Sequence, residues 1–78
     1  MNLDDLRQVF RTALDLDDNF EVDQLGYRQI EQWDSVAHMV LIAEVEDQFD
    51  VMLDTDDVID LSSFGQCVII LAKYGVTL

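Results

Sequence analysis

Three polar residues near the middle of the chain, Asp34, Ser35 and His38, have types and spacing that could support chemistry. On a helix, Ser35 and His38 would share a face, because side chains three positions apart are neighbours. A hydrolytic triad, however, needs the histidine held between the serine and a separately placed carboxylate, with donors aimed at an oxyanion. Neighbours in one helical turn seldom meet those demands, so we predict no catalytic residue.

Calcium binding is a second possible chemistry, because the segment DLDDNFEVDQLG is rich in carboxylates. Asp15, Asp17 and Asn19 match the first, third and fifth positions of an EF-hand loop. Phe20 then stands where that loop needs glycine, and Gly26 where it needs a bidentate carboxylate. The single histidine of the chain has no ligating partner one turn further along. We therefore predict weak, non-specific cation binding and no defined metal site.

Ser35 has another possible role, as a residue that a second enzyme modifies. An Asp-Ser pair at a helix start is ordinarily capping chemistry. The alternative is that the hydroxyl accepts a phosphate-linked group. A phosphodiester in the first turn would lie beside unpaired backbone N–H groups at the positive end of the helix dipole. Such a serine needs no base within its own chain.

The charge of the chain restricts its partners. Seventeen acidic residues face four basic ones, and no Lys or Arg lies between Arg28 and Lys73. Phosphate backbones and anionic membranes would be repelled, so we expect neither nucleic acid nor membrane as a partner. Partners with basic patches would be attracted. The plainer alternative is that the acidity only keeps the protein soluble.

Size and composition indicate one small folded domain, residues 1–78. Half of the residues are hydrophobic, too many for a disordered tail, yet the core can hardly spare a deep catalytic cleft. The single cysteine, Cys67, excludes an internal disulfide. No stretch reads as a signal peptide or a membrane span, so we expect a soluble, cytoplasmic monomer.

The elements that position these residues are predicted to be helices. Asn2 is a fair N-cap for the first helix, and Asp34 for the second, with Ser35 in its first turn. A short third helix is predicted from Thr55 to about Asp60, capped by Asp54 or Thr55. The apolar positions with helical spacing are Leu3, Leu6, Phe10, Ala13 and Leu14 in the first helix, and Leu41, Ile42, Val45 and Phe49 in the second.

The fourth helix is predicted to begin at Ser63, which has capping-box spacing to Gln66, and to stop at Gly75. Its run CVIIL also has β character. The predicted apolar face comprises Cys67, Val68, Leu71 and Tyr74.

The segment from Asp15 to Trp33 has no clear regular element, which is long for so small a domain. Its apolar residues could hold it against the helices as an ordered loop; they are Phe20, Val22, Leu25, Tyr27, Ile30 and Trp33. We therefore predict an all-α bundle of three main helices and one short helix, with a long ordered loop between helices 1 and 2.

The segment WDSVAHMVLIAEVEDQFDV resembles the second helix of the acyl carrier proteins, in which Asp-Ser-(Leu/Val/Met) opens a helix that ends near Glu-x-x-Phe. Here Asp34-Ser35-Val36 and Glu46 to Phe49 stand in those places. The later segment DTDDVIDLSSFGQCVIILAKYG resembles the family's third and fourth helices, so the likeness covers nearly the whole chain. The resemblance implies the four-helix acyl-carrier bundle, with the long first loop.

By that resemblance, Ser35 is the attachment point for 4′-phosphopantetheine, transferred from coenzyme A by a phosphopantetheinyl transferase, and Asp34 caps the helix beside it. The arm's thiol would hold an acyl or aminoacyl group as a thioester. A loading ligase and downstream synthases or transferases would be the other partners. They would recognise a surface on the second helix, predicted to include Val36, Ala43, Glu44, Glu46 and Asp47.

The sequence also departs from the family pattern. Residues 31–33 are Glu-Gln-Trp where a glycine commonly precedes Asp-Ser, and Ala37 and Val40 are apolar where carriers of primary fatty-acid synthesis are often acidic. The pattern WDSxxH is more similar to stand-alone carriers of specialised pathways, such as polysaccharide modification or secondary metabolism. One alternative is an acidic helical interaction module without a covalent cofactor, and another is a degenerate calcium-binding helical protein.

Overall fold

The computed structural model describes residues 2–78, and its regular elements are four helices. They are α1 (Leu3–Ala13), α2 (Ser35–Phe49), α3 (Thr55–Asp60) and α4 (Phe64–Lys73). Within the described residues, the only β feature is an isolated antiparallel bridge between Gly26 and Ser63. The prediction of an all-α bundle with three main helices and one short helix is confirmed, and CVIIL is helical despite its β character.

Short polar side chains set the start of every helix. Each N-cap accepts a hydrogen bond from the backbone N–H three residues later, which satisfies a donor that the helix leaves unpaired. The four pairs are Asn2–Asp5, Asp34–Ala37, Asp54–Asp57 and Ser63–Gln66. Asp54 is therefore the cap of α3, an assignment that the sequence left open between Asp54 and Thr55.

The long segment between α1 and α2 packs as an ordered loop. Val22, Leu25 and Trp33 are buried, and Phe20 and Ile30 pack against the core. The predicted role of these apolar residues is thus confirmed, although Tyr27 remains 37% exposed. Two backbone hydrogen bonds tie the loop to the start of α4: the N–H of Tyr27 donates to Ser62, and the N–H of Phe64 donates to Leu25.

Aromatic rings fill the centre of the molecule, where the loop meets the helices. Phe10 of α1 packs edge-on against Trp33 and Phe64, with ring centroids 5.5 and 5.1 Å apart. In α4 the predicted apolar face is incomplete. Cys67 and Leu71 are buried as expected, and Val68 and Tyr74 are half-buried and pack against the core. Phe64 and Ile70, which the prediction left out, are buried as well.

Asp57 is the only buried charged side chain in the described part of the chain, at 2% exposure. Its carboxylate accepts hydrogen bonds from Lys73 Nζ at 2.6 Å and from the Tyr74 hydroxyl at 2.5 Å. These hydrogen bonds lower the pKa of Asp57 below its ordinary value, and the bond from Lys73 has the largest effect. The cluster fastens α3 to the end of α4.

The hydrogen bonds of Asp57 should make the stability of the fold depend on pH. A carboxyl whose pKa is lowered by folding stabilises the native state above its unfolded pKa, and that stabilisation disappears as the pH falls through the folded pKa. We expect wild type to be more stable than Asp57→Asn at neutral pH. The difference between the two melting temperatures should shrink as the pH is lowered from about 5 to about 2. A gap that stays constant over this range would contradict a charged role for Asp57.

Two of the four basic residues form ion pairs. Arg7 forms a bidentate ion pair with Asp23, with Nε–Oδ1 and Nη2–Oδ2 distances of 2.8 and 2.9 Å, and this pair lowers the pKa of Asp23. Arg7 also forms an ion pair with Asp4. Lys73 pairs with Asp57, whereas Arg11 donates to the carbonyl of Phe20. Within residues 2–78, most carboxylates therefore form no ion pair, and the chain has a formal net charge of −13.

Because these carboxylates repel one another, salt should stabilise the fold. We expect the melting temperature at neutral pH to rise by several degrees between about 0.05 and 0.5 M sodium chloride. At about pH 4.5 the same titration should give a smaller rise, because part of the carboxylates are then protonated. A melting temperature independent of salt at neutral pH would contradict net repulsion.

Candidate functional site

Ser35 is the first residue of α2, and its side chain is exposed. The capping role belongs to its neighbour: Asp34 Oδ1 accepts the N–H of Ala37 at 2.8 Å. The Ser35 hydroxyl is therefore not used to begin the helix. Its side-chain partner is the hydroxyl of Tyr27, whose oxygen lies 3.3 Å from Ser35 Oγ. This arrangement leaves Ser35 accessible to a visiting enzyme.

His38 does not act as a base for Ser35. Its Nδ1 accepts a hydrogen bond from Trp33 Nε1 at 3.0 Å, and its Nε2 lies 2.9 Å from the carbonyl oxygen of Val58. Because the indole nitrogen can only donate, Nδ1 is unprotonated and Nε2 carries the proton that the Val58 carbonyl accepts. Both ring nitrogens are thus engaged away from Ser35, and the ring connects the loop, α2 and α3.

Trp33 is fully buried, in agreement with its predicted role as an anchor of the long loop. Its ring stacks on that of His38, with centroids 6.0 Å apart and planes within 19°. The Tyr27 ring contacts both, at 5.9 Å from Trp33 and 5.1 Å from His38. The three rings form a continuous aromatic wall beside the first turn of α2.

An apolar cleft of about 240 Å³ opens beside this wall. Its lining residues are Tyr27, His38, Val58, Ile59, Leu61 and Ser62. The helical spacing of its apolar residues predicts an apolar stripe along α2. That stripe (Leu41, Ile42, Val45 and Phe49) is buried in the core, and none of its members borders this cleft.

The predicted partner surface on α2 is largely exposed. Val36 is 76% exposed, and Ala43, Glu44 and Asp47 are also on the surface. Glu46 differs: it is half-buried, and its Oε2 accepts the N–H of Leu53 at 2.8 Å. Its carboxylate therefore holds the chain that follows α2.

Two exposed residues on this surface, Met39 and Val40, are absent from the partner surface predicted from the sequence, which noted Val40 only as an apolar departure from the family pattern. They are 59% and 45% exposed, and with Val36 and Ala43 they form an apolar stripe on the outer side of α2. The signal was available in the i, i+3, i+4, i+7 spacing from Val36. It was hidden because the inner face of α2 is apolar too, so the helix reads as hydrophobic nearly all round over its first three turns.

Other chemistry finds little support in the described residues. No three His, Cys, Asp or Glu side chains in residues 2–78 are grouped so that they could hold a metal ion. Cys67 is buried, and burial raises the pKa of its thiol to about 12, so it is unreactive at neutral pH. None of the helices described here has both the length and the apolar character needed to cross a bilayer.

No family model, curated protein or solved structure matches this chain. Function must therefore be inferred from the chemistry of the Ser35 region itself.

Proposed function

We propose that this chain is a discrete acyl carrier protein that is modified on Ser35 with 4′-phosphopantetheine. The observation that carries this proposal is the state of one hydroxyl. Ser35 is the first residue of α2, and its side chain is exposed. Asp34 caps the helix, so the Ser35 hydroxyl is not needed for capping. The imidazole of His38, the nearest candidate base on the helix, is hydrogen-bonded elsewhere. A serine in that state suits a substrate of another enzyme better than a nucleophile of this one.

The modification is a phosphoryl-group transfer that needs only an exposed hydroxyl from this chain. A bond forms between Ser35 Oγ and the pantetheine-linked phosphorus of the coenzyme A diphosphate, and the bond from that phosphorus to the bridging oxygen of the adenosine bisphosphate breaks. The hydroxyl proton passes to a base of the transferase, and adenosine 3′,5′-bisphosphate leaves. Activation comes from the transferase, consistent with the absence of catalytic side chains around Ser35 in the described part of the chain.

The residues around Ser35 fit such a group. Among residues 2–78, the only side chain hydrogen-bonded to its Oγ is the Tyr27 hydroxyl, which can donate to a phosphate, and no carboxylate of these residues is hydrogen-bonded to that oxygen. Tyr27 also lines the apolar cleft. When bound, phosphopantetheine supplies a thiol that carries acyl or aminoacyl groups as thioesters. The protein's own part is to hold the attachment point and to present it.

The surface of α2 supports recognition by partner enzymes. No Asp, Glu, Lys or Arg lies from Ser35 to Ala43, and the exposed side chains that follow Ser35 in this range are apolar. Carboxylates border this stripe, with Asp34 before it and Glu44 and Asp47 after it. A partner with an apolar centre and a basic rim would match this pattern, the charges speeding encounter and the apolar contacts holding the complex. The transferase, a loading ligase and downstream enzymes are the expected partners.

A second candidate is an acidic protein-interaction module without a covalent cofactor. The exposed stripe on α2 favours it equally, because such a stripe suits docking whether or not Ser35 is modified. Incubation with coenzyme A and a phosphopantetheinyl transferase, followed by intact-mass measurement, separates the two. Modification of Ser35 supports the carrier, and an unmodified chain supports the module.

A further inference from the structure

Among the described residues, Tyr27 alone both hydrogen-bonds to the Ser35 side chain and lines the apolar cleft. Tyr27 is held in place by its backbone N–H, which donates to the carbonyl of Ser62 at 2.8 Å, and by its ring, which packs on Trp33 and His38. The hydroxyl is held at the edge of this aromatic wall, on the side where the exposed Ser35 begins α2. Sequence reasoning treated Tyr27 only as a loop anchor.

Modification of Ser35 would change the hydrogen bond that Tyr27 makes. In the unmodified chain either hydroxyl can be the donor. Once Ser35 Oγ is esterified it has no proton, so Tyr27 must donate. Hydrogen bonds to ionised acceptors are shorter and stronger than those between neutral groups. The anionic phosphoryl oxygens next to Oγ are therefore better acceptors for Tyr27 than the ester oxygen.

We propose that Tyr27 is a positioning residue for the modified serine: its hydroxyl donates to a phosphoryl oxygen of the group on Ser35. The bond keeps the phosphate against the aromatic wall and so holds the start of the arm beside the cleft that the Tyr27 ring lines. This inference rests on the proposed function and assigns a contact within it. Tyr27 is a binding residue of the modified form, in addition to its packing role.

The test compares unmodified and modified forms of wild type and of Tyr27→Phe. Phenylalanine retains the ring contacts with Trp33 and His38 and removes only the hydroxyl. Intact mass first establishes that each protein carries one phosphopantetheine. We expect modification to raise the melting temperature of wild type by about 4 °C or more, and to raise that of Tyr27→Phe by less than half as much. The phosphorus NMR shift of the phosphodiester should differ between the two modified proteins.

Tyr74→Phe is the matched control, because Tyr74 is the only other tyrosine of the chain. Its hydroxyl bonds to Asp57 and to the backbone N–H of Asp54. Its loss should lower the melting temperatures of the unmodified and modified forms equally. The rise on modification and the phosphorus shift should stay at their wild-type values. A general effect of deleting a hydroxyl is thereby separated from a contact with the phosphate.

Three outcomes would overturn the assignment. If modified Tyr27→Phe keeps both the wild-type phosphorus shift and the wild-type rise in melting temperature, Tyr27 does not position the phosphate, while the carrier function stands. If Arg28→Gln abolishes the rise and Tyr27→Phe does not, the contact belongs to the neighbouring guanidinium. If wild type accepts no phosphopantetheine, the proposed function is wrong and this inference is wrong with it.

Discussion

We expect wild-type protein incubated with coenzyme A and a promiscuous phosphopantetheinyl transferase to gain one phosphopantetheine, and Ser35→Ala to gain none. The effect is all or none, because the transferred group needs a hydroxyl acceptor and alanine has none. Intact mass measures it directly. The Ser35→Ala chain should fold normally, since Asp34 and not Ser35 caps α2 and the Ser35 side chain is exposed.

Ser62→Ala is the matched control for this experiment. Ser62 is the only other exposed serine of the three in the chain, and it borders the same cleft. The hydroxyl of the third, Ser63, accepts the N–H of Gln66 as the cap of α4. Ser62→Ala should be modified as fully as wild type. If Ser62→Ala abolished the modification and Ser35→Ala did not, the assignment of the site to Ser35 would be wrong.

Thiol reactivity gives an independent measure of the modification of Ser35, because the only cysteine of the chain, Cys67, is unreactive. Its thiol is buried and its pKa is raised to about 12, so the unmodified native chain should show no thiol that reacts at neutral pH. After modification, one thiol per chain should react rapidly, because the arm extends from an exposed serine. A mass gain without a reactive thiol would point to a different adduct.

The second large effect is expected from His38→Ala, through loss of stability. The substitution removes the acceptor of the Trp33 indole N–H and the donor to the Val58 carbonyl. Trp33 is fully buried, so its N–H would be left without a partner away from water. We expect the free energy of unfolding to fall by about 2–4 kcal/mol, a large part of the stability of a small domain. Urea denaturation followed by fluorescence of Trp33, the only tryptophan, measures it.

Two conservative variants of His38 separate its two hydrogen bonds. The amide oxygen of asparagine lies at the level of Nδ1, so His38→Asn should keep the bond to Trp33 and lose the bond to Val58. Glutamine reaches the level of Nε2, so His38→Gln should do the reverse. Because the buried indole is the costlier group to leave unpaired, we expect His38→Asn to be the more stable of the two. Equal stability of Asn, Gln and Ala variants would show that the hydrogen bonds contribute little.

Features that depend on residues close together in the chain were predictable from sequence. Each helix start follows from a polar side chain that reaches a backbone N–H three residues on, and Asn2, Asp34 and Ser63 were recognised for that reason. The place of Ser35 in the first turn of α2 follows from the cap at Asp34. The apolar face of α4 was predicted incompletely because all five residues of CVIIL are apolar, so periodicity could not decide which of them face the core.

The amino-acid sequence alone determined where the helices begin, the strongly acidic charge and the place of Ser35 in the first turn of a helix. These features are predictable because capping depends on neighbouring residues and charge is additive. Only the tertiary structure decided the partners of Asp57, which lie 16 and 17 residues away, and of the His38 Nε2, 20 residues away. It also placed Tyr27 against Ser35 across a turn of the loop. Such contacts depend on how the loop and helices pack on Trp33, and no short-range pattern encodes them.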